Sequence, residues 1–315
     1  LTDPLQHAST YHAPVMVREV LAMLRPERGG TFLDGTLGGG GHAEAVLEHD
    51  PEARLVGVDR DPEALREAAD RLARYGERFR VVRANFADAV GAAGIAPDTL
   101  AGALLDLGIS SHQIDEADRG FTFRPGARLD MRMEGGTSSA LSAAELLNTL
   151  PEAELADLFW RWGEERRSRR LARVLVEMRE REAIETSDQL VAALKRSLGP
   201  RTEVGDRARI FQALRIAVND EIGALQTALP LVRDVLAPGG VFVVLSYHSL
   251  EDRVVKNSFR DWSQRCTCPV ALPVCVCGGV AAGTLLTRKP ISAGADEVAA
   301  NPRARSARLR AWRRA

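Results

Sequence analysis

The segment Thr31-Phe-Leu-Asp-Gly-Thr-Leu-Gly-Gly-Gly-Gly-His42 constrains this chain more than any other stretch. A β-type run ends in an acid, glycines follow, and a helical pattern starts at Gly41. Strand, Gly-rich turn and helix in that order form the ligand-binding corner of an open parallel sheet, where the backbone approaches a ligand over the carboxyl ends of the strands. Three more β-type segments follow, Arg54 to Asp59, Phe79 to Arg83 and Leu100 to Asp106, with helical patterns between them. One of these helices is opened by Asp61-Pro62-Glu63, which puts proline in the first turn and acids at the positive end. Alternation of this kind predicts an α/β fold built on a parallel sheet.

After Asp106 the alternation stops. A Gly-, Arg- and Asp-rich loop runs from Ser110 to Ser139, and the next stretch reads as helical. Capping boxes at Ser142/Glu145 and Thr186/Gln189 mark helix starts. Apolar residues at helical spacing mark two further helices, through Leu155, Leu158, Phe159 and Trp162 and through Leu171, Val174, Leu175 and Met178. The sheet resumes after a long helical pattern, Ala208 to Leu236, closed by Ala237-Pro-Gly-Gly240 and followed by the buried-strand run Val241 to Ser246. Gly283 to Lys289 and Ser306 to Trp312 read as a closing hairpin. The expected organisation is a discontinuous domain of residues 1–110 and 207–315 that carries the sheet, with residues 111–206 as an inserted helical substrate-recognition domain.

Polar residues recur at the strand ends. Val56-Gly-Val-Asp59 ends the second strand with a carboxylate able to accept hydrogen from both ribose hydroxyls of an adenosine. The third strand ends in Ala84-Asn-Phe-Ala-Asp88, which offers an aromatic face and polar edges for an adenine, and the fourth ends in Leu104-Leu-Asp106. Glycines alone do not separate a dinucleotide from S-adenosylmethionine. The series of strand ends favours the latter, with an NAD-dependent oxidoreductase and a non-catalytic RNA-binding protein on the same fold as the alternatives.

Seven segments carry a resemblance over nearly the whole chain. They are His12-Ala-Pro-Val-Met16, Gly38-Gly-Gly-Gly-His42, Asp106-Leu-Gly-Ile-Ser-Ser-His-Gln113, Gly120-Phe-Thr-Phe123, Leu129-Asp-Met-Arg-Met133, Arg209-Ile-Phe-Gln-Ala-Leu-Arg215 and Ser246-Tyr-His-Ser-Leu-Glu-Asp-Arg253. Together they resemble the RsmH (MraW) family of bacterial ribosomal RNA methyltransferases. The resemblance implies a Rossmann-like class I methyltransferase sheet with a helical insert. It also implies methyl transfer from S-adenosylmethionine to the exocyclic N4 of a decoding-centre cytidine in 16S rRNA, within the small ribosomal subunit or a late precursor. The cofactor contacts it carries over are Gly40, Gly41, His42, Asp59, Phe86, Asp106 and Gln113.

Methyl transfer from a sulfonium needs an in-line nucleophile and no metal, so positioning and polar surroundings can supply the catalysis. Ser246, Tyr247 and His248 follow the fifth strand on the same sheet edge as the glycine loop and are candidates for the acceptor pocket; His248 and Ser249 equally suit a helix cap. Asp106 is followed by Leu-Gly-Ile-Ser rather than the Pro-Pro-aromatic step common in DNA amino-methyltransferases. Carbon-5 methylation needs a cysteine nucleophile, and the only Cys-Pro step, Cys268-Pro269, lies away from the strand ends. Asp130 and Arg132 alternate with apolar residues, as in a site or in an ordinary half-buried segment.

Cys266, Cys268, Cys275 and Cys277 form two C-x-C pairs in a Pro- and Gly-bearing stretch. Four thiolates suit tetrahedral zinc, although the usual spacing is C-x₂₋₄-C. The net charge of −1 excludes a uniformly basic nucleic-acid binder. Arginines nevertheless cluster between Arg161 and Arg181 and again between Arg303 and Arg314, and the second, acid-free cluster is the better candidate for tracking phosphates. No apolar run approaches the ~20 residues of a membrane span, so a cytoplasmic location without a membrane partner is expected. The oligomeric state is not written in these residues.

Overall fold

The computed structural model describes residues 14–199, 202–266, 268, 272, 276 and 279–315. The chain divides into two compact units, Leu1–Gly108 with Ile222–Ala315, and Ile109–Glu221. The second boundary falls fifteen residues beyond the 207 expected, because the helix after residue 203 packs with the helical unit.

In the first unit, β1 (Gly30–Asp34), β2 (Ala53–Asp59), β3 (Phe79–Arg83) and β4 (Leu100–Asp106) alternate with helices. α1 (Val17–Leu24) precedes them, α2 (Gly41–His49) and α3 (Pro62–Leu72) join the first three, and the short α4 (Ala89–Ala92) leads to β4. Asp61 caps α3 by accepting from Glu63 N at 3.0 Å, as its Asp-Pro-Glu opening predicts. The sheet is completed by β5 (Leu236–Ser246), β6 (Gly283–Leu285), β7 (Ile291–Ser292) and β8 (Arg308–Arg314), in the order β3-β2-β1-β4-β5-β8-β6 with β7 beside β8. β1 to β5 are parallel and β8 runs antiparallel to β5.

Successive residues of the central strands enter opposite cores. Phe32, Val243 and Leu245 bury into one face, while Leu33, Phe242 and Val244 bury into the other with the fully buried Trp312. A sheet covered on both faces explains why its strands read as continuous apolar runs.

Two expectations are corrected at the end of this unit. β5 starts at Leu236, not Val241: Leu236 pairs with Leu100, and Ala237-Pro-Gly-Gly240 is taken up in a register shift, with Gly239 at φ +82. β6 and β8 do pair, but β7 and a helix lie between them in sequence, so they are not a simple hairpin.

The helical unit contains α5 (Ser111–Asp115), α6 (Ala143–Thr149), α7 (Glu152–Gly163), α8 (Ser168–Arg179), α9 (Ser187–Leu198) and α10 (Val204–Asn219). The predicted capping boxes are present, with Ser142 N donating to Glu145 Oε2 at 2.7 Å and Thr186 N to Gln189 Oε1 at 3.0 Å. Leu155, Phe159, Leu171, Leu175, Leu190, Leu194, Ile210 and Leu214 form its core. The long helix expected from Ala208 to Leu236 is two. Asp220 adopts the left-handed conformation at φ 47 and ends α10, a position that Asn and Asp tolerate better than most residues. α11 (Glu221–Val235) then leads back to the sheet, and α12 (Ser249–Trp262) and α13 (Ala295–Ala300) follow β5 and β7.

Candidate cofactor and acceptor site

The sheet order reverses between β1 and β4, since the chain winds outward from β1 through β2 to β3 and in the other direction from β4 to β5. Ligands of open α/β sheets bind at this reversal, over the carboxyl ends. Asp34 and Asp106 are those ends. Backbone bonds stitch the edge together: Gly35 N donates to Leu104 O at 3.0 Å, and Asp106 N donates to Thr36 Oγ1 at 2.6 Å. On the other side Gly38 N donates to Asp59 Oδ2 at 2.8 Å, and Asp61 N to Asp59 Oδ1 at 2.9 Å. The glycine loop is thereby clamped between the ends of β2 and β4.

Two glycines in the loop are required by space. Gly40 has φ +79, and a Cβ on Gly41 would lie 2.8 Å from the Pro14 ring. They bring the chain into the first turn of α2, where His42 is buried. His42 Nε2 sits 2.8 Å from Val15 O; a carbonyl only accepts, so Nε2 carries the proton and Nδ1 is the atom 3.7 Å from Asp106 Oδ2.

The electrostatics of the edge are unusual. Burial pushes the carboxyl of Asp34 up to about 6 and that of Asp106 up to about 7, and burial also raises Asp59. Neighbouring carboxylates add to the rise at Asp34, and Glu251 adds to it at Asp106. The Tyr247 hydroxyl donates to Asp106 Oδ1 at 2.8 Å and partly offsets the rise, while its own ionisation is pushed well above the usual 10 by burial. Asp34 Oδ2 is buried without a hydrogen-bond partner among the described residues. An edge of costly, incompletely neutralised acids fits a cationic ligand. Both the sulfonium and the ammonium of S-adenosylmethionine would repay that cost, and Asp59, though it accepts two backbone bonds, retains lone pairs for ribose hydroxyls.

Gly40, Gly41, His42, Asp59 and Asp106 therefore gather on one edge. Phe86, half-buried, lies in a single turn after β3 that Asn85 caps by accepting from Ala87 N at 3.0 Å, and it comes up beside Gly35. Gln113 belongs to the helical unit, where it is buried in a capping box with Ser110. Asp88 is exposed.

The candidates after β5 separate. Ser246 is buried, its hydroxyl 3.4 Å from Arg308 O. His248 caps α12, accepting from Glu251 N, so for this residue the cap reading matches the geometry. Tyr247 alone reaches Asp106. Asp34, which ends β1, has no role among the sequence-based candidates; an acid closing a buried strand is the signal that marks it.

Asp130 and Arg132 hold each other through two bonds, Nε to Oδ1 at 2.9 Å and Nη2 to Oδ2 at 2.6 Å, inside the helical unit. Of the four cysteines, Cys275 and Cys277 lie outside the described residues, Cys266 is exposed, and Cys268 Sγ accepts from Val276 N at 3.4 Å. The arginines from Arg303 to Arg314 are not a free tail. Arg310 is buried against Asp252 at 2.7 Å, and Arg314 pairs with Asp98, which leaves Arg303, Arg305 and Arg308 the more open.

Fold and site together define an S-adenosylmethionine-dependent methyltransferase, with the strand reversal, the clamped glycine loop and the acidic edge in one unit. The chain belongs to the MraW methylase family, whose model matches residues 9–315. A ribosomal RNA small subunit methyltransferase H from Gemmatimonas aurantiaca is 53% identical over 99% of this chain and 98% of its own length. Enzymes of the same name from Geobacter sulfurreducens and Geotalea uraniireducens are 51% and 50% identical, over 95% and 96% of this chain and 97% of theirs. A putative methyltransferase from Streptococcus mutans, solved in complex with SAH, aligns at a TM-score of 0.43 and 10% identity over 95% of this chain and 97% of that one, too distant to assign residue roles. Nothing in these likenesses supports zinc. Among the described residues no helix is long and apolar enough to cross a membrane.

Proposed function

We propose that this methyltransferase modifies the exocyclic N4 of a decoding-centre cytidine of 16S rRNA, in the small subunit or a late precursor of it. The relatives' names support the ribosomal substrate. The hydrogen bond from Tyr247 to Asp106 carries the choice of an amino acceptor.

A cytosine amino group is a weak nucleophile, because its lone pair is delocalised into the ring. A carboxylate that accepts a hydrogen bond from that NH₂ localises the pair and can take the proton released as the N–CH₃ bond forms. Asp106, with a carboxyl near neutrality, is suited to both tasks, and Tyr247 fixes which oxygen remains for the acceptor. S-adenosylmethionine, when bound, supplies the electrophilic methyl group. Gly40, Gly41, His42, Asp59, Phe86 and Asp106 would hold it. To that unit, Ile109–Glu221, we assign recognition of the RNA fold.

Nucleoside analysis of small-subunit RNA from cells lacking the protein tests the reading. One N4-methylcytidine should disappear and return when the purified enzyme and S-adenosylmethionine are added to the isolated subunits. An unchanged nucleoside profile overturns it.

A further inference from the structure

A cavity of about 310 Å³ opens beside the acceptor edge, lined by Tyr247, His248 and Ser249, by Ser292, and by the run Arg305 to Arg308. Among the described residues its lining contains two guanidinium groups and three serine hydroxyls, and no carboxylate. Ser249 opens the fourteen-residue α12, so the positive end of that helix faces the same space. His248, nine-tenths buried, places Nε2 3.1 Å from Glu251 Oε1, yet among the described residues this nitrogen has no hydrogen-bond partner. Arg308 is half exposed and only 3.5 Å from Asp252 Oδ2, whose principal partner is Arg310. Its charge is therefore incompletely used, and Arg305 is exposed.

We infer that this cleft holds a backbone phosphodiester of the RNA, one close to the nucleotide being methylated. Guanidinium groups, serine hydroxyls and a helix N-terminus are the donors that a tetrahedral monoanion requires. Tyr247 supplies the link: it lines the cleft and its hydroxyl bonds to Asp106. A phosphate gripped on one side of that ring positions its own or the adjoining base on the other. The inference rests on the RNA substrate proposed above and adds where the strand is held.

The test uses the full-length protein and purified small subunits, with binding followed by filter retention over a range of salt and methyl transfer measured in parallel. Arg305→Gln should weaken binding about tenfold and lower the salt slope by about one. Ser292→Glu, which puts a negative charge on the exposed β7, should weaken binding at least as much. A methylphosphonate at the phosphate flanking the acceptor should weaken wild type more than Arg305→Gln, in which that phosphate has already lost one of its partners. S-adenosylhomocysteine affinity, measured on each variant, reports an intact sheet. Wild-type binding and salt slope in both variants overturn the cleft assignment. Binding that responds as expected in a protein that transfers no methyl group to the subunits leaves the cleft in place and overturns the proposed reaction instead.

Discussion

Asp34 and Asp106, at the ends of β1 and β4, face a tyrosine hydroxyl, a histidine and other carboxylates, and burial drives both upward toward neutrality. In the helical unit Asp130 is less deeply buried, its side chain 26% exposed, and Arg132 grips it with two bonds and holds its carboxyl below the usual range. Asp252, in the same unit as the sheet edge but buried against Arg310, behaves like Asp130. The difference therefore follows position, not domain. Acids that stabilise the fold come with a guanidinium, whereas Asp34 and Asp106, the acids proposed to face a ligand, have none among the causes of their shifts and carry the cost of desolvation.

The largest expected effect tests the ligand half of that contrast. Asp106→Ala should lower methyl transfer at least about a hundredfold, the scale seen when one preorganised polar group is removed from a reacting centre. A variant that keeps half the wild-type rate on small subunits would sink the role given to Asp106.

Affinity for S-adenosylmethionine should depend on pH in a stated direction. Both carboxyls are raised, so protonation sets in as pH falls through about 7 and then about 6, and a cation loses its partners. Calorimetric affinity should plateau above that window, fall by up to about tenfold per unit within it and fall more steeply below it, where both carboxyls are protonated. Asp106→Asn should flatten the upper part of the curve. The same raised carboxyl opposes folding: the ionised form is penalised once pH exceeds the unfolded value, so the Asn variant without ligand should melt higher than wild type at pH ~8, with the gain shrinking toward pH ~4. Equal melting temperatures at both ends would contradict the desolvation argument.

Arg132→Gln probes the structural half. It should cost about 1–2 kcal/mol in denaturant unfolding and leave S-adenosylhomocysteine affinity untouched. Here the sign reverses. Asp130 is lowered, so the contribution of its pair is present above the ordinary carboxylate range and is lost as pH falls through it. The smallest effect belongs to Arg161→Ala on the outside of α7. Its bond to Asp157 is 2.8 Å long but exposed, and its loss should change stability by less than about 0.5 kcal/mol. A larger loss would mean that surface pairs in the helical unit matter more than the contrast allows.

Much of this was legible in the residues because it is local. The glycine run, the strand-closing acids and the Ser142 and Thr186 caps depend on neighbours a few positions away, and they appear where the sequence puts them. The misreadings have a common cause. A left-handed Asp220 breaks a pattern that is apolar-periodic on both sides of it, and only the Cα path reveals the break. The arginines of β8 all read as candidates for tracking phosphates because Asp252, which neutralises Arg310, lies 58 residues away in sequence. The bond from Tyr247 to Asp106 spans 141 positions, and no spacing rule could have paired them.

The placement of β8 bears on the order of assembly. It enters the sheet between β5 and β6, 62 residues beyond the last residue of β5 at the closest pairing, Ser246 with Arg308. Until residues 308–314 have left the ribosome, β5 presents an open edge, β6 has no neighbour, and Asp252 is short of the cation that neutralises it. Long-range pairing of this kind is slow and leaves strand edges exposed to other chains. An enzyme proposed to finish ribosomes would thus owe the covered edge of β5 to a strand that its own ribosome delivers 62 residues later.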